Sequence, residues 1–316
     1  IISDPGVYDI AMEICPEIER HISTQANNTN YGTALFWYRN KAKRIVTARE
    51  LSLEEIKQLR ANIPDDMEIE TFVHGSMCIS YSGRCLLSNF LTGRDANAGE
   101  CTHPCRWKYF LMEEQRQGEY FPVYENERGT YIFNSKDLCM IEHIPELMGA
   151  EIDSFKIEGR MKNALYIATV ARTYRKAIDD CLESEEKYKN NMDWYREQIS
   201  NCTYRGFTTG FFFGKPSDKD HIYDNSTYVK EAVYLGAVSG TDENGRFVLL
   251  QKNKFSTGDT IEIMKPDGRN IKTRVLGIYG ADGARQESAP HAKQELHIEL
   301  DEAPETGDVL RAPTES

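Results

Sequence analysis

The sequence predicts an α/β domain followed by an all-β domain: a (β/α)8 TIM-type barrel that lacks its first strands in this chain, then a small C-terminal β-barrel. Up to about residue 182, short apolar runs alternate with helical patterns, which is typical of parallel βαβ units. Polar residues follow the predicted strands, as they do at the active-site face of such barrels. Beyond residue 200, short strands are separated by Gly, Asp, Asn and Pro turns.

Five apolar runs are the predicted strands of the first domain. They are "IISD" (1–4), "IERHISTQ" (18–25), "RIVTARE" (44–50), "EIETFVHG" (68–75) and "IDSFKIEGR" (152–160). Helices are predicted at 8–15, 30–39, after Ser52, after Ser135 within "SKDLCMIEHIPEL", and at 163–182. The helix after Ser52 has the clearest start, because Ser52 and Glu55 form a capping-box pattern with Leu51 and Ile56 placed as a hydrophobic staple.

The predicted strands end in residues of chemical use. These are Asp4, Gln25, Arg49 with Glu50, His74, and Glu158 with Arg160. Five strands cannot close an eight-stranded barrel, so we expect about three further strands before Ile1. Without them, the strand edges beside 1–4 and 155–157 lack partners, which favours self-association.

The domain boundaries follow from the change in pattern. We predict the partial barrel at 1–200, interrupted by an excursion at 76–151, a joint at 201–225 and the C-terminal β-barrel at 226–316. In that barrel "DENG" (242–245) and "KPDG" (265–268) indicate hairpin turns.

Composition indicates a soluble, cytoplasmic protein. No apolar run approaches the ~20 residues of a membrane span, and no secretory leader opens the chain. The net charge of −12 argues against broad coating of nucleic acid, which depends on clustered Lys and Arg. A local basic segment at Lys156–Lys176 is compatible with a small RNA contact or with a solvated helix face.

Four of the eight cysteines lie in one run with the spacing Cys78-x6-Cys85-x15-Cys101-x3-Cys105, and Cys139 follows later. Disulfides are disfavoured in a reducing compartment. Independent packing is an alternative, although the neighbouring Ser, Gly and Thr residues are typical of loops. Ligation by thiolates suits zinc or an iron–sulfur cluster, and the spacing alone leaves that choice open.

Four motifs resemble those of the collagenase-like peptidase family U32. They are "ETFVHGSMCISYSGRCLLS", "CTHPCRW", "NSKDLC" and "SFKIEGRMK", and the similarity runs from Ile1 to Thr314. The branch that the chain resembles hydroxylates the wobble uridine of tRNA to 5-hydroxyuridine. The resemblance implies a TIM-type barrel followed by a translation-factor-like β-barrel, and a chain that begins after the third barrel strand.

The resemblance also implies cofactors and ligands. It implies a 4Fe–4S cluster held by Cys78, Cys85, Cys101 and Cys139, with Cys105 as the alternative fourth ligand, and prephenate as a co-substrate. Candidate catalytic residues are His74, Glu158 and Arg160. Candidate groups for a carboxylate metabolite or RNA phosphate are Arg49, Arg84, Arg160 and Lys162, because guanidinium and ammonium groups bind both.

Two other functions remain open from the sequence. A peptidase is one, since Cys78 with His74 could form a thiol nucleophile, but no G-x-S-x-G or H-E-x-x-H motif is present. The other is a non-catalytic RNA-binding iron–sulfur protein.

Overall fold

The computed structural model describes residues 1–78, 80–107, 110–111, 121–122, 134–202, 206–216, 221–222 and 232–313. The chain divides into two compact units. Unit 1 consists of Ile1–Arg160 and Arg205–Tyr228, and unit 2 consists of Met161–Tyr204 and Val229–Ser316. This division differs from the predicted boundary at residue 200, because the residues from Met161 onward group with the C-terminal strands.

Unit 1 alternates helices with short strands. Its helices are α1 (Pro5–Ile14), α2 (Tyr31–Arg39), α3 (Leu53–Ala61), α4 (Leu87–Thr92) and α5 (Ile144–Gly149). Its strands are β1 (His21–Ile22), β2 (Arg44–Val46), β3 (Glu68–Ser76), β4 (Phe110–Leu111), β5 (Phe121–Pro122), β6 (Asn134–Ser135), β7 (Asp137–Cys139), β8 (Ser154–Ile157), β9 (Phe207–Thr208) and β10 (His221–Ile222). Short 3-10 turns lie at Thr24–Ala26, Pro104–Arg106 and Ile141–His143.

The main sheet of unit 1 is built from parallel strands in chain order. Ile2 forms a parallel bridge to Ile22 of β1, and β1–β2, β2–β3 and β3–β8 are parallel pairs. Four of the five predicted segments contain a strand, and the fifth, 1–4, contributes only the bridge at Ile2, which confirms the mixed α/β class. The described strands form an open row, so a TIM-type barrel with absent first strands stays a prediction.

The two faces of this sheet differ in chemistry. Ile22, Ile45, Ile69 and Val73 are apolar and have no exposed surface. Because side chains alternate along a strand, the residues between them lie on the opposite face. That second face carries charged side chains, and it is called here the polar face.

The start of α3 confirms the capping box. Ser52 accepts from the Glu55 backbone N–H, and Glu55 accepts from the Ser52 backbone N–H at 2.8 Å. Leu51 and Ile56 are both buried, as a hydrophobic staple requires.

The excursion after β3 corrects one prediction. The residues after Ser135 do not begin with a helix: Asp137–Cys139 form β7, which pairs antiparallel with β3 and parallel with β9. The helix begins only at Ile144, after the 3-10 turn. Backbone pairing on both sides holds this segment extended, and a hydrophobic pattern this short does not reveal such pairing. Most of the polar segment at 113–129 lies outside the described residues.

Unit 2 combines three helices with a closed β-barrel. The helices are α6 (Ala164–Glu183), α7 (Glu185–Asn190) and α8 (Met192–Ser200). The strands are β11 (Ala232–Thr241), β12 (Phe247–Leu250), β13 (Phe255–Ser256), β14 (Thr260–Met264), β15 (Asn270–Gly280), β16 (Arg285–Gln286), β17 (Ser288–Ala289), β18 (Glu295–Leu300) and β19 (Val309–Pro313). The strand order β14–β19–β11–β12–β18–β15 closes through the β14–β15 pair, and both predicted hairpin turns are present.

The helices pack onto the barrel through a shared core. Leu165 of α6 is buried with Ala232, Tyr234, Met264 and Val309 of the strands. This packing explains why the helices belong to unit 2.

The three helices are tied together by Asp180. Its carboxylate accepts from Tyr195, Lys176 and Asn191 at 2.6, 2.9 and 2.9 Å. Burial opposes the charged form, but these donors outweigh it and lower the pKa of Asp180 to about 2. The carboxylate is therefore a fixed anion at neutral pH.

Candidate functional site

The polar face carries a row of charges across three neighbouring strands. Arg44 of β2, Glu70 of β3 and Lys156 of β8 meet there, with Glu68 beside Arg44. The register of the strands brings these side chains together, since Arg44 lies opposite Glu68 and Phe72 lies opposite Lys156.

Glu70 is the centre of the row. Its side chain is 8% exposed, and it accepts from Lys156 Nζ at 2.5 Å, Arg44 Nη1 at 2.9 Å and Ser154 Oγ at 3.2 Å. Burial alone would raise the pKa of Glu70, but the hydrogen bonds from Lys156 and Arg44 outweigh burial and lower it. The ion pairs therefore fix the charge and position of Lys156.

Phe72 lies one step nearer the carboxyl ends of the strands. The Arg49 guanidinium carbon lies 3.9 Å from the centre of its ring, and Lys156 Nζ lies 5.5 Å from it. Cation–π contact of this kind holds a guanidinium flat against the ring. Arg49 is thus positioned over the sheet and is partly exposed.

His74 lies at the centre of the strand ends. It pairs with Cys139 of β7 on one side and with Ile157 of β8 on the other. The side chain is 1% exposed, and its ring centre lies 5.8 Å from that of Phe207. The structure therefore makes His74 a buried histidine beside the predicted site residues.

Glu158 and Arg160 follow β8 directly. The Glu158 N–H donates to the His74 carbonyl oxygen at 2.9 Å, and the Glu158 carboxylate accepts from the Arg160 N–H at 3.0 Å. Gly75 lies so close to Glu158 that a Cβ there would overlap the Glu158 carbonyl oxygen. This approach holds the start of the β8 loop against β3.

The excursion returns to the strand ends. Gln25, after β1, donates to Asn97 at 3.0 Å, and the Arg160 guanidinium lies against Gly99, where a Cβ would overlap it. The excursion thus covers part of the site and leaves the side chain of Arg160 exposed.

The structure brings together only part of the predicted set. Arg49, His74, Glu158 and Arg160 all lie at the carboxyl ends of β2, β3 and β8. Arg84 is exposed and lies in a turn, where its backbone N–H donates to the Tyr81 carbonyl oxygen at 3.0 Å. Lys162 belongs to unit 2, where its Nζ lies 4.8 Å from the ring centre of Tyr166.

The basic segment is not one surface. Lys156 pairs with Glu70 in the polar face, and Arg172 is buried. Arg175 pairs with Asp179 at 2.5 Å and Lys176 with Asp180 at 2.9 Å. The residues of the predicted local basic segment are therefore divided between the interior and local ion pairs.

All eight cysteines are thiols rather than halves of disulfides. Cys78 is exposed, whereas Cys85, Cys101, Cys105 and Cys139 are partly exposed. Thiolate donors suit an iron–sulfur cluster chemically. Among the described residues, however, no three His, Cys, Asp or Glu side chains lie close enough to hold a metal ion. The thiolates therefore suit a cluster by their chemistry, and because this close approach concerns a single ion, the cluster itself stays a prediction.

Sequence reasoning missed the Arg44–Glu70–Lys156 row. A signal was present, because "RIV" and "SFKI" each contain one charged residue and "EIETF" has two at alternate positions, within strands flanked by helices. Strands of parallel sheets are normally buried on both faces. Charges at such positions therefore indicate paired side chains on an internal polar face.

In the part of the chain that the structure describes, no helix combines the length and apolar character needed to cross a bilayer.

Comparison with known proteins identifies relatives along most of the chain. A "tRNA hydroxylation protein P" of Escherichia coli is 37% identical over 92% of this chain and 72% of its own length. A tRNA hydroxylation protein of Bacillus subtilis is 36% identical over 95% of this chain and 71% of its own length. A 23S rRNA 5-hydroxycytidine synthase of Escherichia coli is 28% identical over 88% of this chain and 40% of its own length.

Two family models cover the same span. Residues 1–222 match "Peptidase family U32", and residues 230–311 match "Peptidase family U32 C-terminal domain". The first match covers more than half of the chain, and the relatives agree with it. The chain therefore belongs to peptidase family U32.

Proposed function

We propose that this chain hydroxylates RNA, and that its substrate is the wobble uridine of tRNA, which becomes 5-hydroxyuridine. The observation that carries the proposal is the 37% identity, over 92% of the chain, to a protein named for tRNA hydroxylation. The similarity to an rRNA 5-hydroxycytidine synthase supports hydroxylation of a pyrimidine at the same ring position. In this proposal the protein acts in the cytoplasm, on tRNA.

The strand-end site has the groups that such a substrate requires. Arg49 over Phe72 and the exposed Arg160 offer two guanidinium groups, one after the carboxyl end of β2 and one after that of β8. Guanidinium binds phosphate and carboxylate in a bidentate manner. In this proposal they hold the RNA backbone or a carboxylate co-substrate such as prephenate, while His74 and Glu158 border the reacting group.

The iron–sulfur cluster stays a prediction. Its donors are Cys78, Cys85, Cys101 and either Cys139 or Cys105. When bound, such a cluster supplies one-electron chemistry.

Anaerobic reconstitution tests this prediction. We expect brown protein that absorbs near ~400 nm, as thiolate-ligated iron–sulfur clusters do. Cys78→Ala, Cys85→Ala and Cys101→Ala should each abolish the colour, and comparison of Cys105→Ala with Cys139→Ala identifies the fourth ligand. Cys15→Ala, in a thiol outside these motifs, should leave it unchanged. Colourless protein that holds stoichiometric zinc contradicts the prediction.

The proposed function is tested by deleting the gene that encodes this chain in a strain with no second enzyme of the family. Total tRNA is digested to nucleosides and analysed by mass spectrometry. We expect 5-hydroxyuridine and its derivatives to disappear, and to return when the gene is restored. Persistence of these nucleosides contradicts the proposal. Cleavage of a peptide substrate that is lost on Cys78→Ala would instead favour a peptidase.

A further inference from the structure

Unit 2 contains an open cleft of 560 Å³ at the junction of its helices and a barrel hairpin. Its walls are Lys176, Trp194 and the turn from Asp267 to Ile271. The strand-end site described above lies in unit 1 and shares no residue with this cleft.

Trp194 forms the aromatic wall. The β14–β15 turn comes close to its ring, because a Cβ on Gly268 would lie 3.4 Å from Trp194 Cη2 and 3.0 Å from Lys176 Cδ. Gly268 has φ +98°, which an L side chain rarely adopts. The guanidinium of Arg172 and the Nζ of Lys176 lie 5.7 and 5.9 Å from the ring centre. The indole is therefore held in place and surrounded by cations.

Arg172 lies beneath the cleft and is 6% exposed. Its side chain donates to neutral acceptors: Gln198 Oε1 at 2.6 Å, Asn270 Oδ1 at 3.0 Å and Lys265 O at 3.0 Å. Two of these contacts fix the turn that forms the cleft wall. Among the described residues no carboxylate accepts a hydrogen bond from Arg172, although those of Asp267 and Glu262 act on its charge through space.

A second buried arginine adds to this charge. Arg311 Nη2 donates to the same Gln198 oxygen at 3.2 Å, and Arg311 Nε donates to Glu262 at 3.0 Å. Burial, followed by repulsion from Arg311, lowers the pKa of Arg172 to about 10. Arg172 Nε and Arg311 Nη1 are buried and have no hydrogen-bond partner among the described residues. With a pKa of about 10, Arg172 stays protonated at neutral pH. Among the described residues, Lys176, Arg269 and Arg311 each pair with a carboxylate, whereas Arg172 donates to neutral acceptors, so this group keeps a positive charge that favours an anion.

We propose that this cleft binds an unpaired nucleotide of the RNA substrate, with the base against Trp194 and the phosphate beside Lys176 and Arg269. An aromatic side chain interleaved with cations is the chemistry that recognises single-stranded nucleic acid. The proposal rests on the proposed RNA substrate and adds a second contact surface to it. On a chain with net charge −12, it also supplies a local site where a broad basic face is absent.

Arg269 and Arg175 provide a matched pair of variants. Both are exposed arginines paired with a neighbouring aspartate, at 2.7 Å for Arg269–Asp267 and 2.5 Å for Arg175–Asp179. Only Arg269 lines the cleft. The difference between Arg269→Ala and Arg175→Ala thus isolates the cleft from the general loss of one positive charge.

Fluorescence anisotropy with the full chain measures binding of an unmodified tRNA transcript and a uridine-rich single-stranded oligonucleotide at several salt concentrations. We expect Arg269→Ala to weaken binding of both about fivefold and to reduce the salt slope by about 1. Trp194→Leu should weaken binding about tenfold, and Trp194→Phe should restore part of it. Arg175→Ala should bind like the wild type.

Equal affinity of Arg269→Ala and Arg175→Ala for both RNAs would overturn the inference, even if Trp194→Leu were unfolded. Tryptophan quenching by an acidic peptide, but by neither RNA, would also overturn it in favour of a protein ligand. If Arg269→Ala binds RNA with the affinity of the wild type, and cells still make 5-hydroxyuridine, only the assignment of the cleft as an RNA contact fails. Failure of the proposed function would be observed separately, as an unchanged content of 5-hydroxyuridine and its derivatives in tRNA of the deletion strain.

Discussion

Replacing Gly75 by alanine is expected to destabilise unit 1 on the order of 4 kcal/mol, which is large for one methyl group. Gly75 lies in β3 with φ +117°, and a Cβ there would overlap the carbonyl oxygen of Glu158. That oxygen belongs to the backbone, so it cannot move aside without separating β8 from β3. We expect a much lower urea midpoint by circular dichroism and loss of RNA hydroxylation in cells.

Gly93 supplies the control. It also has a positive φ, +70°, but nothing lies within 4 Å of a Cβ built there. Gly93→Ala should therefore cost only the backbone strain, about 1 kcal/mol. Equal effects of Gly75→Ala and Gly93→Ala would show that the close approach of β3 and Glu158 is not a determinant of stability.

Replacing Glu70 by alanine is expected to cost about 2–3 kcal/mol, since it removes the buried carboxylate that Lys156 contacts and one of the two carboxylates that Arg44 contacts. Arg44 and Lys156 contact Glu70 at 2.9 and 2.5 Å. We expect a large fall in the free energy of unfolding, measured in urea at pH 7. Glu68→Ala is the matched variant: Glu68 also pairs with Arg44, but its side chain is 27% exposed against 8% for Glu70. It should cost about 1 kcal/mol or less.

The same residue gives a pH dependence whose sign is fixed. The pKa of Glu70 in the folded chain is below its ordinary value of 4.5, so the folded state favours the carboxylate. Its contribution to stability is present above pH 4.5 and is lost as the pH falls through the folded pKa. Glu70→Gln should therefore show a weaker loss of stability below pH 4.5 than the wild type. An unchanged acid profile would contradict the assigned ion pairs.

Local signals predicted much of unit 1. The capping box at Ser52 and Glu55 placed α3, and the apolar runs placed β2, β3 and β8, because these features depend on neighbours in the chain. The prediction of a helix directly after Ser135 was wrong because the segment forms β7, which pairs with β3 and β9, and both are distant in sequence. Backbone pairing of this kind leaves little trace in residue type.

The candidate site shows the same division. Arg49, His74, Glu158 and Arg160 could be predicted because residues that follow parallel strands meet at one sheet edge. The pairing of Glu70 with Lys156 could not be predicted. The alternation of apolar and charged residues along a strand shows which residues share a face, but it does not show whether solvent or an opposite charge contacts that face. The packing of the helices after Met161 could not be predicted either, because their apolar side chains are compatible with either domain. The structure shows that Leu165 is buried among residues of the β-barrel.

If the strand-end site of unit 1 modifies tRNA, as proposed, replacing its arginines Arg49 and Arg160 should lower the content of the modified nucleoside in cellular tRNA. The deletion strain is complemented with the wild-type gene, Arg49→Gln, Arg160→Gln or the surface control Arg175→Gln, and the 5-hydroxyuridine content of total tRNA is measured by mass spectrometry. The account predicts that Arg49→Gln and Arg160→Gln lower this content at least about tenfold at equal protein level, since each removes a bidentate anion contact. Arg175→Gln should restore it fully. Full restoration by both Arg49→Gln and Arg160→Gln would contradict the assignment of this site.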